Sequence, residues 1–168
     1  DTRHLRRTAE TRLFAAGVDV TVLDGDTLRT GLCKDLGFAE ADRTENVRRA
    51  AEVARILRDA GHVVLVALFS PLRSDRELAA RIIGEGFAEV FVDADLQTCE
   101  QRDPKGLYVA ARAGKISGFT GIDAPYEAPE HPALRLRTSQ DSADAKASEL
   151  VSFVEGAVTL AGGRRFQS

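Results

Sequence analysis

The sequence predicts a three-layer α/β/α domain built on a parallel sheet, and three observations carry that reading. Short apolar runs alternate with longer stretches of helical periodicity along the chain. The run Val63 to Phe69 is apolar throughout, as a strand covered on both faces is. The first two runs end in sharp breaks, Asp24-Gly25-Asp26 and Ser70-Pro71, where the ligand crevice of such a sheet lies.

Taken in order, Arg3 to Ala16 is expected to be a helix. Leu5, Ala9, Leu13 and Ala16 recur at three- and four-residue steps on one face, and Gly17 ends it. Asp19 to Leu23 reads as a strand, and Thr27 to Phe38 as a loop with short helical pieces. Ala39 to Ala60 is a long helix that turns Val47, Ala50, Ala51, Val53, Ala54 and Leu57 inward and stops at Gly61. Val63 to Phe69 is a central strand, Arg73 to Ile83 a helix and Ala88 to Asp93 a third strand. Asp95 is placed to cap a short helix over Leu96 to Arg102. Gly106 to Gly114 is a further short helix, and Lys115 to Pro132, rich in Gly and Pro, an ordered loop. Leu134 to Leu136 is a last short strand, Ala143 to Leu160 a helix, and residues 161–168 a frayed tail. A starting helix with no strand ahead of it is unusual for this class. The first strand and its turn are therefore expected to be missing from the chain as it stands.

Composition bounds the function. With 168 residues, 43% hydrophobic and 29% charged, the chain is expected to form one domain over residues 1–168 with a real core. A net charge of −3 leaves no general basic footprint for nucleic acid. The longest apolar run, seven residues from Val63 to Phe69, is too short to cross a bilayer, so no membrane partner is expected. The arginine-rich first fifteen residues carry no apolar block of the kind a signal peptide needs. Cys33 and Cys99 lie far apart and read as free thiols of a reducing, cytoplasmic compartment. The chain has no Met, so Asp1 is not a translation start; a processed product or a fragment of a longer chain is expected.

Several stretches carry chemistry. Asp24-Gly25-Asp26 puts two carboxylates at a strand's carboxyl end, where they can hold a hydrated Mg²⁺ or accept a proton from a hydroxyl. The plainer reading is a polar turn with Asp capping the next helix. Arg43 and Asn46, three apart, share a helical face near Arg29, Arg48 and Arg49; guanidinium forks suit sulfate or phosphate, and a solvated charged face explains the pattern equally well. Ser70 points a hydroxyl into the crevice or simply turns the chain. Arg102-Asp103-Pro104-Lys105-Gly106 brackets a Pro-fixed turn with cations, as a hinged lid over a polyphosphate does. Phe119, set between glycines in a loop, is placed to stack on a purine.

These residues, in this order, resemble the adenylylsulfate kinase (APS kinase) family of the P-loop kinase superfamily. The matching stretches are Leu23 to Asp26 with Arg29, Gly31-Leu32, Asp35 to Phe38, Asp42-Arg43, Glu45-Asn46, Arg48-Arg49 and Ser70-Pro71. They continue through Glu89 to Val92, Cys99-Glu100, Arg102 to Tyr108, Ala111 to Gly114, Gly118 to Asp123 and Pro125 to Glu127. The resemblance implies transfer of the γ-phosphate of MgATP to the 3′-hydroxyl of adenylyl sulfate, giving PAPS and ADP. It implies that Asp26 activates that hydroxyl and that Asp24 or Asp26 orders Mg²⁺ through water. It assigns Arg29, Arg43 and Asn46 to adenylyl sulfate, and Phe38 and Phe119, with Ile122 beside them, to its adenine. Ser70 and Lys105 belong to phosphoryl transfer, and Arg102, Asp103, Lys105, Gly106 and Arg112 to a mobile lid. A homodimer and a fused or associated ATP sulfurylase are the partners it suggests. The family's Gly-Lys-Ser-Thr phosphate loop aligns near Asp1-Thr2-Arg3-His4, which do not match, so no site for the ATP polyphosphate is expected within the chain as it stands. The alternative is a module that has lost catalysis and binds adenylyl sulfate or PAPS for regulation; retained Asp26, Arg29, Lys105 and Phe119 weigh against it.

Overall fold

The computed structural model describes residues 2–103, 106–115, 119–122, 124–138 and 142–162. Its elements run α1 (Thr2–Ala15), β1 (Val20–Asp24), α2 (Gly25–Thr30), α3 (Glu40–Asp59), β2 (Val63–Ala67) and α4 (Arg73–Ile83). They continue with β3 (Val90–Asp93), α5 (Leu96–Arg102), α6 (Leu107–Arg112), β4 (Leu134–Arg137) and α7 (Ala143–Gly162). The alternation of helices and parallel strands is the one the sequence predicts.

Two α-helical layers sandwich the strands. On one face, Leu5, Ala9 and Leu13 form a stripe at four-residue spacing on α1 and pack with Leu150 and Val154 of α7 and Leu136 of β4. Val20, Val63, Leu65, Val90 and Val92, from three of the strands, close over this cluster. Arg12 ties α1 to α7 by donating to Asp144 Oδ2 at 2.9 Å and Ser148 Oγ at 2.6 Å. On the other face, Ala50 and Ala54 of α3 meet Leu23, Leu28 and Cys33, with Val64 and Leu68 packed alongside. Small residues on α3 let it lie close to the strands, and α4 packs along α3. Gly17 at φ 79° and Gly61 at φ 101° terminate α1 and α3 in the left-handed conformation that glycine adopts without a Cβ clash.

The strands differ from expectation in one respect. β1 pairs with β2 in parallel, Val20 opposite Val63 through Asp24 opposite Ala67. β3 pairs with β4 in parallel, Val90 opposite Leu134 through Asp93 opposite Arg137. Among the described residues the two pairs form separate two-stranded sheets, not one continuous sheet. They share a core under α1 and α7 without a shared ladder. The second strand also stops at Ala67, short of the expected Phe69, whose ring is 62% exposed. Hydrophobicity overran the strand there because the chain leaves the sheet for the crevice.

Candidate active site

The parallel register puts the ends of β1 and β2 level, so Asp24-Gly25-Asp26 and Ser70-Pro71 emerge side by side. Gly25 makes the approach feasible: a Cβ there would stand 3.1 Å from Leu68 Cδ2 and 3.5 Å from Ala67 O. Asp24 sits at the N-cap position of α2, yet its side chain makes no capping bond. Its Oδ1 instead meets Arg6 Nη1 of α1 at 2.8 Å, and its Oδ2 lies 3.4 Å from the Thr27 hydroxyl. Asp26, one residue into α2, is 57% exposed and accepts from Arg3 Nη2 at 3.2 Å. The two carboxylates thus differ: Asp24 is the better shielded, and Asp26 the more exposed.

One turn further along α2, Arg29 Nη1 donates to Leu36 O at 3.2 Å and Gly37 O at 2.8 Å. Its guanidinium lies over the Phe38 ring at 4.4 Å, a cation–π contact. Arg43 Nε, from the first turn of α3, donates to Phe38 O at 2.8 Å. Two arginines therefore hold one loop while its aromatic ring stays 72% exposed, a stacking surface of fixed orientation. Asn46, three residues on from Arg43, is buried, with Oδ1 unpartnered. The predicted group Arg29, Phe38, Arg43 thus assembles, with Asn46 on the same helix.

Arg48 and Arg49 have internal tasks. Arg49 forks onto Asp35 at 2.7 and 2.8 Å and donates to Leu32 O at 2.8 Å. Both arginines hydrogen-bond Glu45, which holds its carboxyl down at about 2, Arg48 being the larger cause. A depressed acid contributes stability that is complete above its unfolded value of about 4.5 and is lost as pH falls through about 2. Glu45→Gln is accordingly expected to lower the thermal midpoint at neutral pH, with the gap to wild type closing between about pH 4.5 and 2. A gap constant across that window, in pH-dependent melting curves, contradicts the assignment.

Ser70 lies half-buried at the end of β2. Its carbonyl accepts from Arg76 Nη1 at 2.9 Å, and Arg76 Nη2 donates to Glu127 O at 2.6 Å, stitching the Ser70-Pro71 turn to the loop after residue 124. In the expected lid, Asp103 accepts from the backbone N–H groups of Leu107, Tyr108 and Val109 at 2.8, 3.0 and 3.2 Å, so it caps α6. Gly106 supplies the left-handed N-cap at φ 65°. Arg102 donates to Thr138 O at 2.8 Å and Arg112 pairs with Glu100 at 2.6 Å, so both cations anchor the segment. Lys105 lies outside the described residues. Phe119 sits edge-on to Tyr108 with centroids 5.0 Å apart, and Ile122 N donates to Phe119 O at 3.1 Å. Burial, then the neighbouring Cys99, pushes the Tyr108 hydroxyl up to about 12.

Sequence reasoning missed three residues here. Arg6 faces Asp24, Arg76 staples the Ser70 turn, and Asp75 is 2% exposed and accepts from the Thr44 hydroxyl at 2.7 Å. That last bond joins the first turns of α3 and α4, the helices that follow the Phe38 loop and the Ser70 turn. Each pairing crosses between elements, so no local pattern reveals it. An Arg or Asp in the first turn of a predicted helix that borders a strand end is the available hint.

The carboxylates are not arranged to ligate Mg²⁺ directly; the contact the sequence leads one to expect is through water. Both oxygens of Asp24 are engaged, and among the described residues no group of three or more His, Cys, Asp or Glu side chains is arranged to hold a metal. No described helix is long and apolar enough to cross a membrane. Cys33 and Cys99 are free thiols.

A parallel α/β fold that gathers carboxylates, guanidiniums and a stacking ring where its strands end belongs to the nucleotide-handling kinases. The model of the family Adenylylsulphate kinase matches residues 3–137, and the chain belongs to that family. An adenylyl-sulfate kinase of Marinobacter nauticus is 51% identical over 144 residues, 85% of this chain and 72% of that protein. The structure of the Mycobacterium tuberculosis APS kinase CysC in complex with AMPPNP and APS is 51% identical, with a TM-score of 0.86 over 90% of this chain and 88% of that one. The bifunctional enzyme NodQ of Azospirillum brasilense is 50% identical over 146 residues, 86% of this chain and 24% of that protein. The fold class, the kinase activity and ATP as co-substrate stand as the resemblance implied.

Proposed function

We propose that the chain's own residues carry the transfer of the ATP γ-phosphate to the 3′-hydroxyl of adenylyl sulfate as follows. Asp26 takes the hydroxyl proton while the new O–P bond forms and the bond from γ-phosphorus to the ADP oxygen breaks. Arg29, Arg43 and Asn46 hold adenylyl sulfate, and its adenine lies between Phe38 and Phe119, near Ile122. Ser70 and Lys105 stand at the transferring phosphoryl group, and the segment from Arg102 to Arg112, with Asp103 capping α6 and Gly106 as its hinge, closes over it. The observation that carries this reading is the Arg29–Phe38–Arg43 group, which lies one turn of α2 from the exposed carboxylate of Asp26. Magnesium enters with ATP, and Asp24 or Asp26 orders it through water. A cytoplasmic setting, a homodimer and a fused or associated ATP sulfurylase complete the proposal. The bifunctional relative, of which the matched region is 24%, supports the fused arrangement.

Competition binding tests the pocket. Adenylyl sulfate is expected to displace a fluorescent adenine nucleotide at a concentration at least about tenfold below AMP, the discrimination of one charge-assisted contact. Superimposable titration curves for the two ligands would sink the assignment.

A further inference from the structure

We infer that Arg6 takes a cation's place at Asp24, so that the nucleotide-free protein holds no divalent ion at its paired carboxylates. The Arg6–Asp24 pair is the better shielded of two that α1 makes with this turn: the side chains are 14% and 24% exposed, against 58% and 57% for Arg3 and Asp26. A guanidinium at 2.8 Å from Oδ1 and a hydroxyl 3.4 Å from Oδ2 crowd the approaches that a directly bound metal would need at Asp24. Two arginines facing two carboxylates also neutralise the turn, removing the charge that draws a divalent ion. Mg²⁺ demands octahedral geometry and gives up its waters reluctantly, so it competes poorly with a guanidinium already seated. Displacing Arg6 would strand its charge in a half-buried position, which is more costly than the pair is worth.

Asp24 therefore has a positioning task. Arg6 fixes the β1–α2 turn onto α1, and with it the start of the helix that carries Asp26. The inference concerns the nucleotide-free protein and holds whatever the acceptor is, so its failure is separable from failure of the adenylyl sulfate assignment.

The test is Mn²⁺ titration of the nucleotide-free protein by electron paramagnetic resonance. Wild type is expected to show no site tighter than about 1 mM. Arg6→Met, which keeps the stem and removes the charge, is expected to gain Mn²⁺ affinity by about tenfold or more, and Asp24→Asn added to it to abolish the gain. A wild-type Mn²⁺ site that Asp24→Asn removes overturns the inference, as does unchanged affinity in Arg6→Met. Should Arg6→Met not fold, phenylglyoxal labelling read by mass spectrometry decides. Arg6 modified severalfold faster in Asp24→Asn than in wild type supports the pair, and equal rates overturn it.

Discussion

In a form of the protein that carries the family's phosphate loop ahead of α1, Asp26→Asn is expected to lower kcat for adenylyl sulfate-dependent ADP release by about 10²–10⁴-fold, the usual cost of losing a general base. Asn keeps the size of Asp26 and much of its hydrogen bonding, but it cannot take the 3′-hydroxyl proton. Affinity for adenylyl sulfate should change little, because Arg29, Arg43 and the Phe38 ring are untouched and form their own contacts. The two readouts are a coupled assay of ADP release in that form of the protein and calorimetric titration with adenylyl sulfate. Full turnover in the variant removes Asp26 from the role of base. A parallel loss of affinity assigns it to binding instead.

Arg43→Ala is expected to weaken adenylyl sulfate binding by about 2–3 kcal/mol, the scale for losing a charge-assisted contact in a site built around it. At about 1.4 kcal/mol per tenfold, that is a rise in Kd of roughly 30- to 150-fold. The substitution removes a donor for the ligand and also releases Phe38 O, so the ring loses one of the two arginines that orient its loop. Arg43→Lys separates the effects: it restores charge but not the planar fork, and is expected to recover only part of the affinity. AMP binding should fall far less than adenylyl sulfate binding if Arg43 faces the sulfate. Equal losses for the two ligands would place Arg43 in the scaffold alone.

The parts of the fold governed by local pattern were legible in the sequence. Leu5, Ala9 and Leu13 of α1 and Val47, Ala50, Ala51 and Ala54 of α3 are buried as the periodicity demands, and Val53 and Leu57 partly so; Ala16, expected on the same stripe, is exposed because α1 ends at Ala15. Asp95 caps α5 as expected, its carboxylate accepting from Thr98 N at 2.7 Å. The start of α2 was not legible, because Gly25 reads as a breaker and hid a helix that begins on it. That helix sets the spacing of the site, since it brings Asp26 and Arg29 onto neighbouring turns. In the site, residue types and spacing drew attention to Arg29 and Arg43, and the family resemblance to Phe38; the structure brings the three together. Arg6, Asp75 and Arg76 act through partners on other elements, and such pairings exist only once the chain has folded. Arg102 and Arg112, which the sequence places in the lid segment, make contacts to Thr138 and Glu100 that no local pattern announces.

The division of the strands into two ladders bears on how the crevice deforms. Within each pair, hydrogen bonds fix register to the residue; between β2 and β3 the link runs through side chains under α1 and α7. Backbone ladders resist sliding, whereas side-chain packing yields by small shear. The chain is thus two stiff leaves on a common spine. One leaf carries the carboxylate turn, the Phe38 loop and Ser70; the other carries α5 and α6, which Arg102 fastens to the end of β4. Each leaf is expected to protect its amides as a separate cooperative unit, which hydrogen-exchange measurements check. Substitutions along the buried stripe of α1 are therefore expected to shift one leaf against the other without touching the crevice residues.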